Sequence, residues 1–240
     1  MNKRILFLLL VIIIFGLNKS FAQQLTYAAI GGITFGGPIP TKIEKNSFGS
    51  PKAGALAGLQ LNYRFTKKIS LNLQLNYAYK GVTYSANYRK DTVIPQVINN
   101  TTIHVQSFYT AYANGDMGLH YLELHLSPAY KLSQRHTLMG GAYFSYLMGG
   151  FDSGKVQVVI GEGGFYGDYF ENFNNINSIT KLDIGFSLGM KSYWYKSFFS
   201  GFNITRSVRN IYATDIFSKR GLSTNTLFNT YCYLYFGIDI

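Results

Sequence analysis

In the segment ISLNLQLNYAY, residues 69–79, every second residue is large and apolar: Ile69, Leu71, Leu73, Leu75, Tyr77 and Tyr79. Between them stand Ser70, Asn72, Gln74, Asn76 and Ala78. A period of two sorts these sets onto opposite faces of a strand, whereas the 3.6-residue turn of a helix would mix them. The segment therefore separates an apolar medium from a polar one. By itself it does not name the apolar medium, which is a protein core in a sandwich and hydrocarbon in a membrane barrel.

The N-terminus bears on that choice. MNKR precedes the apolar run Ile5–Leu17, and Ser20 and Ala22 carry the small-residue spacing of a signal-peptidase cut, so residues 1–22 read as an export signal. A membrane anchor is the competing reading, but the run is shorter than the roughly 20 residues that span a bilayer as a helix. Cys232 is the one cysteine, so neither a lipoprotein cut nor a disulfide framework is available. Removing residues 1–22 takes three of the 22 basic residues (Lys3, Arg4 and Lys19) and no acid, leaving 19 against 11 acids. The basic excess is scattered, without a stripe or an arm, and an exported chain does not meet nucleic acid. Its expected anionic neighbours are lipid and lipopolysaccharide head groups; a plain solvating role for the charge stays open.

Aromatic residues make up 17% of the chain and charged residues only 14%. Such a surface suits lipid better than water. Beyond the N-terminal run no apolar stretch approaches helical membrane length, so a membrane crossing has to be a closed sheet. Residues 23–240 form one domain in this reading, with strand segments at 25–35, 53–65, 69–85, 118–132, 137–149, 179–194, 197–208 and 227–240. The connections alternate. Tight turns at Thr66–Lys68, Ser133–His136 and Tyr195–Lys196 alternate with long loops at 36–52, 86–117, 150–178 and 209–226. An up-and-down transmembrane barrel sorts loop length this way, with short periplasmic turns and long outer loops; a sandwich has no such reason. The predicted fold is all-β, an eight-stranded antiparallel barrel acting as a monomer.

The apolar strand faces (Leu59 and Leu61; Leu122, Leu124 and Leu126; Leu182 to Met190 in alternation) would meet lipid. The opposite faces predict a lumen charge network of Arg64, Lys80, Glu123, His125, Lys131, Lys181 and Asp183, with Arg64, Glu123, Lys131 and Asp183 pairing across an interior just wide enough to be filled by side chains. Aromatics at strand ends predict an interfacial girdle of Tyr63, Phe65, Tyr130, Tyr193, Trp194, Tyr195 and Phe198.

The run GLQLNYRFTKKISLNLQLNYAYKGVTYS, followed by HYLELHLSPAYKL, resembles the PorT-like outer-membrane β-barrel family common in Bacteroidetes. That resemblance implies an outer-membrane location and a structural or partner-binding role, with envelope proteins of type IX secretion or gliding as partners. A narrow porin-type channel is the alternative.

Enzymatic chemistry finds little support. Glu123 and His125 share a face and could act as an acid–base pair, yet mid-strand and pointing into a packed lumen they read as a structural hydrogen-bonded pair. His120 has the opposite parity, which makes a metal site from the three poor. Gly161-Glu162-Gly163-Gly164 has neither the lysine of a phosphate loop nor a following helix. Its segment, 161–178, reads as an outer loop packed on itself, with partner binding the alternative. No catalytic residue, metal site or cofactor is expected.

Overall fold

The computed structural model describes residues 25–40, 48–98, 101–162, 165–174, 176–211 and 227–240. The segment read as an export signal lies outside these residues, as does most of the expected loop 209–226. The described strands are β1 (Leu25–Pro40), β2 (Phe48–Arg64), β3 (Ile69–Ile98), β4 (Thr101–Lys131), β5 (His136–Glu162), β6 (Phe165–Asn174), β7 (Leu182–Tyr195), β8 (Phe198–Ser207) and β9 (Leu227–Asp239). Among the described residues no helix is long and apolar enough to cross a membrane.

Eight strands close a barrel. Antiparallel pairing runs β1–β2–β3–β4–β5–β7–β8–β9 in chain order, and β9 returns to β1 from Ala28↔Asp239 to Pro40↔Leu227. Every wall strand therefore has a neighbour on both sides, the condition for placing a sheet in hydrocarbon. At one end the connections are tight. Phe65 and Thr66 donate their amides to the Ile69 carbonyl at 3.0 Å, while the Thr66 hydroxyl accepts from the amides of Lys68 and Ile69. Ser133 does the same for Arg135 and His136, so a hydroxyl residue opens both turns and satisfies amides that the ladder leaves free.

The two faces separate as the alternation predicts. Leu59, Leu75, Leu122, Leu124, Leu126, Leu182, Phe186, Leu188 and Met190 are exposed on the outside, and Leu61, Leu71, Leu73 and Ile184 are half-buried there. Gln60, Asn72, Gln74, Asn76, Lys80, Glu123, His125, Asp183 and Lys191 are buried inside. A shift of one residue would place these charges in hydrocarbon at about 2–4 kcal/mol per cation near the midplane.

Interior space is shared through glycines. Gly201 stands opposite Tyr235 and Gly237 opposite Phe199 on the β8–β9 ladder, and each ring lies over its partner glycine. A Cβ on Gly201 would come within 2.1 Å of the Tyr235 ring, and one on Gly237 within 2.2 Å of the Phe199 ring. The absent side chain is what lets a large ring lie flat against the wall.

Two of the expected long loops are β-structure. β3 and β4 stay paired from Ile69↔Tyr130 to Ile98↔Thr101, and β5 runs on to Glu162, where β6 folds back along it from Ser153↔Asn174 to Glu162↔Phe165. The ranges 86–117 and 150–178 are therefore largely hairpins. Likewise β1 reaches Pro40 and β2 begins at Phe48, which extends both into the expected loop 36–52. Above the membrane no buried face enforces alternation, so the periodicity that defines the strands below fades while the strands continue. The described pairing of β2 with β3 ends at Phe48↔Ser85, so among the described residues β3 beyond that point pairs with β4 alone. Pro95 sits in this stretch, where an edge strand tolerates its missing amide. Beyond the barrel stands a four-stranded sheet, β3–β4–β5–β6, whose β4–β5 pairing ends at Ser107↔Glu162, and from it the β3–β4 hairpin runs on to Ile98↔Thr101, roughly 40 Å past Ser85 at 3.3 Å per residue.

Leu188 lies near the middle of the outward face of β7, and Phe198, the first residue of β8, at the short-turn rim of the barrel. Leu188→Arg is expected to destabilise the barrel by about 2–4 kcal/mol and Phe198→Arg by at most about 1 kcal/mol. Urea unfolding in lipid, followed by the mobility difference between heated and unheated samples on denaturing gels, measures both; equal effects would remove lipid from the outside of the barrel.

Candidate functional site

At mid-height the lumen holds an ion pair enclosed by tyrosines. Lys80 (β3) Nζ lies 2.6 Å from Glu123 (β4) Oε1, and both side chains are fully buried. The ammonium also sits over four rings, 4.4 Å from the centroid of Tyr231, 4.9 Å from Tyr121, 5.6 Å from Tyr233 and 5.9 Å from Tyr143. Ring faces attract a cation, so the tyrosines replace part of the hydration that Lys80 loses. Glu123 in turn accepts from Ser145 Oγ at 2.9 Å, Tyr233 OH at 3.2 Å and His125 Nε2 at 3.4 Å. Strand parity produces this cluster: positions 121, 123 and 125, 143 and 145, and 231 and 233 all point inward from their strands.

Toward the long-loop end, Asp183 (β7) accepts from Asn229 Nδ2 at 2.8 Å, from Tyr143 OH at 3.1 Å and from Ser207 Oγ. Above it a buried apolar group, Val82, Met117, Leu119, Tyr121, Leu147, Ile179 and Ile211, caps the lumen. Ile179 and Ile211 come from connections rather than wall strands, and they are tied together by Thr180, whose amide donates to the Ile211 carbonyl at 2.7 Å. On the outer surface at this end, Lys52 Nζ and Thr83 Oγ1 each lie 2.6 Å from Asp116 Oδ1, and their hydrogen bonds, the lysine's first, hold the exposed carboxyl below its usual range. Nearer the middle of the same strand pair, Tyr77 and Tyr79 pack on His120.

Toward the short-turn end the lumen opens into a vestibule of about 490 Å³. Gln60, Asn62 and Asn72 form its upper wall; Arg64, Lys67, Lys68, Lys131, Arg135, Lys191 and Lys196 surround it. Asp239 is the one acid among the described lining residues. It accepts from Tyr193 OH at 2.9 Å and lies 3.6 Å from Lys191 Nζ, whose ammonium rests 3.5 Å from the Phe199 ring centroid.

The seven expected lumen charges fall into two groups. Lys80, Glu123, His125 and Asp183 are buried. Arg64 and Lys131 point inward but are exposed at the short-turn mouth, and Lys181 is exposed just before β7 at the other end. The expected pairing of Arg64 and Lys131 with Glu123 and Asp183 does not form. Parity specifies the side on which a charge lies but not its height along the barrel axis, and Lys80 is the cation at the height of Glu123. In the expected girdle, Phe65, Tyr130, Trp194, Tyr195 and Phe198 are exposed at the short-turn rim and Tyr63 is half-buried with its ring 4.9 Å from Phe65. Tyr193 departs from the girdle: it has the parity of Lys191 and lines the vestibule. The tyrosines at 121, 143, 231, 233 and 235 lie outside the charge network that strand parity predicts, although the last three alternate with Cys232, Leu234 and Phe236 and so share an inward parity. Among the described residues no group of three His, Cys, Asp or Glu side chains could hold a metal ion.

Removing one partner of the buried pair leaves the other uncompensated. Lys80→Met or Glu123→Gln is expected to cost about 3–5 kcal/mol each, and the double variant less than either. Urea titration followed by the fluorescence of Trp194, the sole tryptophan, measures the three values; strictly additive losses would show that the pair is not coupled.

Solved structures with a similar course include Ail, the attachment invasion locus protein of Yersinia pestis (11% identity, TM-score 0.35, covering 90% of this chain and 98% of that one). They also include Neisserial surface protein A (7%, 0.33, 88% and 96%) and the outer membrane protein OprG from Pseudomonas aeruginosa (9%, 0.31, 90% and 95%). No curated protein matches the sequence. The family model described as outer membrane protein beta-barrel domain matches residues 21–213, more than half of the chain. With a closed eight-stranded wall, an apolar outer face and a polar, charged interior, this chain belongs to the outer membrane protein beta-barrel domain family.

Proposed function

We propose that this barrel neither conducts nor catalyses, and that it acts as a monomer by presenting the edge of its protruding sheet to a macromolecular partner outside the cell. The observation that carries the reading is the free side of β6: among the described residues its ten-residue strand pairs with β5 alone. An unpaired row of amides and carbonyls is a template for a further strand, which is how β-augmentation builds affinity from the main chain.

The lumen supports the negative half. The Lys80–Glu123 cluster, the Asp183 cluster and the apolar cap fill it at successive heights, which argues against a narrow channel. Glu123 and His125 are enclosed on every side, so no substrate reaches them, which argues against a lipid-modifying enzyme. In this reading residues 1–22 direct export, lipid and lipopolysaccharide surround the apolar belt, and no cofactor or nucleic acid takes part. The resemblance of residues 58–85 and 120–132 to PorT-like proteins supports a narrower version, in which the partner is an envelope protein of type IX secretion or gliding.

A planar bilayer containing the folded barrel is expected to show no current steps above background; reproducible steps would favour the channel. Co-purification from detergent-solubilised envelopes tests the edge. Adjacent positions of a strand point their amides to opposite sides, so proline at both Phe170 and Glu171 removes one amide from the free edge. The associated protein should then be lost. Undiminished co-purification would exclude β6 as the contact.

A further inference from the structure

The vestibule at the short-turn end is a second, separate candidate site, and from its charge and shape we infer that it binds an acidic, extended segment of a periplasmic polypeptide. Short turns face the periplasm in bacterial outer-membrane barrels, so the opening is directed there. Arg64 and Lys131 reach it from inward positions of β2 and β4, and Lys191 from β7. Lys67, Lys68 and Arg135 stand around it on the turns. Asp239 is already engaged by Lys191 and Tyr193, so among the described lining residues no acid is left for the other cations. A cleft lined by one sign of charge and walled by low dielectric focuses its field, and the wall here is a barrel set in hydrocarbon.

Three features select the ligand. First, the positive groups surround a volume of about 490 Å³ instead of converging on one point, which suits several linked charges better than a single small anion. Second, the barrel wall separates the vestibule from the surrounding lipid. A phospholipid head group reaching Arg64 or Lys131 from inside would draw its acyl chains out of hydrocarbon. Third, the upper wall carries the amides Gln60, Asn62 and Asn72; Gln60 Oε1 already accepts from Gln74 Nε2 at 3.2 Å, and Asn62 and Asn72 can both donate and accept. They match peptide N–H and C=O groups, whereas a polyphosphate offers acceptors alone. Acidic side chains on an extended backbone meet all three conditions. The site does not depend on the β6 edge, since it lies at the opposite end of the barrel.

The test uses the full-length folded barrel in phosphatidylcholine nanodiscs and a fluorescein-labelled octa-glutamate peptide, with binding read by fluorescence anisotropy. One peptide is expected per barrel. Arg64→Gln with Lys131→Gln should weaken binding about tenfold, and Lys155→Gln with Lys181→Gln, exposed at the opposite end of the barrel, no more than about threefold. Both pairs remove two charges, so a diffuse surface field would weaken binding equally, and that result would overturn the inference. Inorganic phosphate at matched charge should not displace the peptide, nor should phosphatidylglycerol vesicles; displacement by the first would make the site one for small anions, by the second one for lipid, and either overturns the proposal. If the inward pair fails to fold, as judged by heat-dependent gel mobility, acetylation of the unsubstituted barrel decides. Bound peptide should protect Lys131 more than Lys181, which lies at the other end of the barrel, and equal protection would count against the vestibule.

Discussion

Hydrocarbon offers no hydrogen-bond partner to a peptide group, and the rest of this structure is a consequence. A sheet placed there has to close, and with eight strands the enclosed space is only wide enough for side chains. Closure thereby sets two demands on every strand. One face must be apolar enough for lipid, as Leu122, Leu124 and Leu126 are, and the other must fill a narrow core with no apolar solvent of its own, as Glu123 and His125 do from the same strand.

Filling that core with an ion pair is not the most stabilising choice in general, since burying two charges costs several kcal/mol apiece before their attraction is counted. The contribution of Lys80 and Glu123 lies in specificity. If β3 or β4 slipped by one residue, the pair would separate and a charge would enter lipid, so the penalty for the wrong register exceeds any gain forgone in the right one. Tyrosine suits the remaining space. Its ring spans much of the lumen, its face receives the Lys80 ammonium, and its hydroxyl reaches the far wall, as Tyr233 does to Glu123, or the neighbouring strand, as Tyr143 does to Asp183.

Much of this was legible in the sequence because lipid enforces alternation. Where both sides of a strand meet water the constraint lapses, and the sequence cannot show where pairing ends; residues 86–117 read as a loop for this reason and form a hairpin instead. The interior was legible by face but not by height. Arg64, Lys131 and Glu123 share a side of the wall, yet which cation meets Glu123 depends on stagger between strands, which is a tertiary property. β9 hid its contribution differently. Its inward Tyr231, Tyr233 and Tyr235 and outward Cys232, Leu234 and Phe236 are all broadly hydrophobic, so polarity barely alternates even though the geometry does. A run of three aromatics at 193–195 suggests a belt, while parity assigns its first member, Tyr193, to the lumen.

The two mouths differ because their connections differ in length. At the outer end the segments after β6 and β8 are long enough to fold inward and seat Ile179 and Ile211 over the opening, which removes apolar surface from water and seals the lumen. The turns at 65–68 and 132–135 are consumed by reversing the chain and have no residue left to cover anything. An uncovered lumen end must therefore be compatible with water, and the groups that hydrate most strongly are charges. Placing like charges there adds a second effect: the mutual repulsion of Arg64 and Lys131 opposes inward collapse of the rim, in the same field that attracts anions.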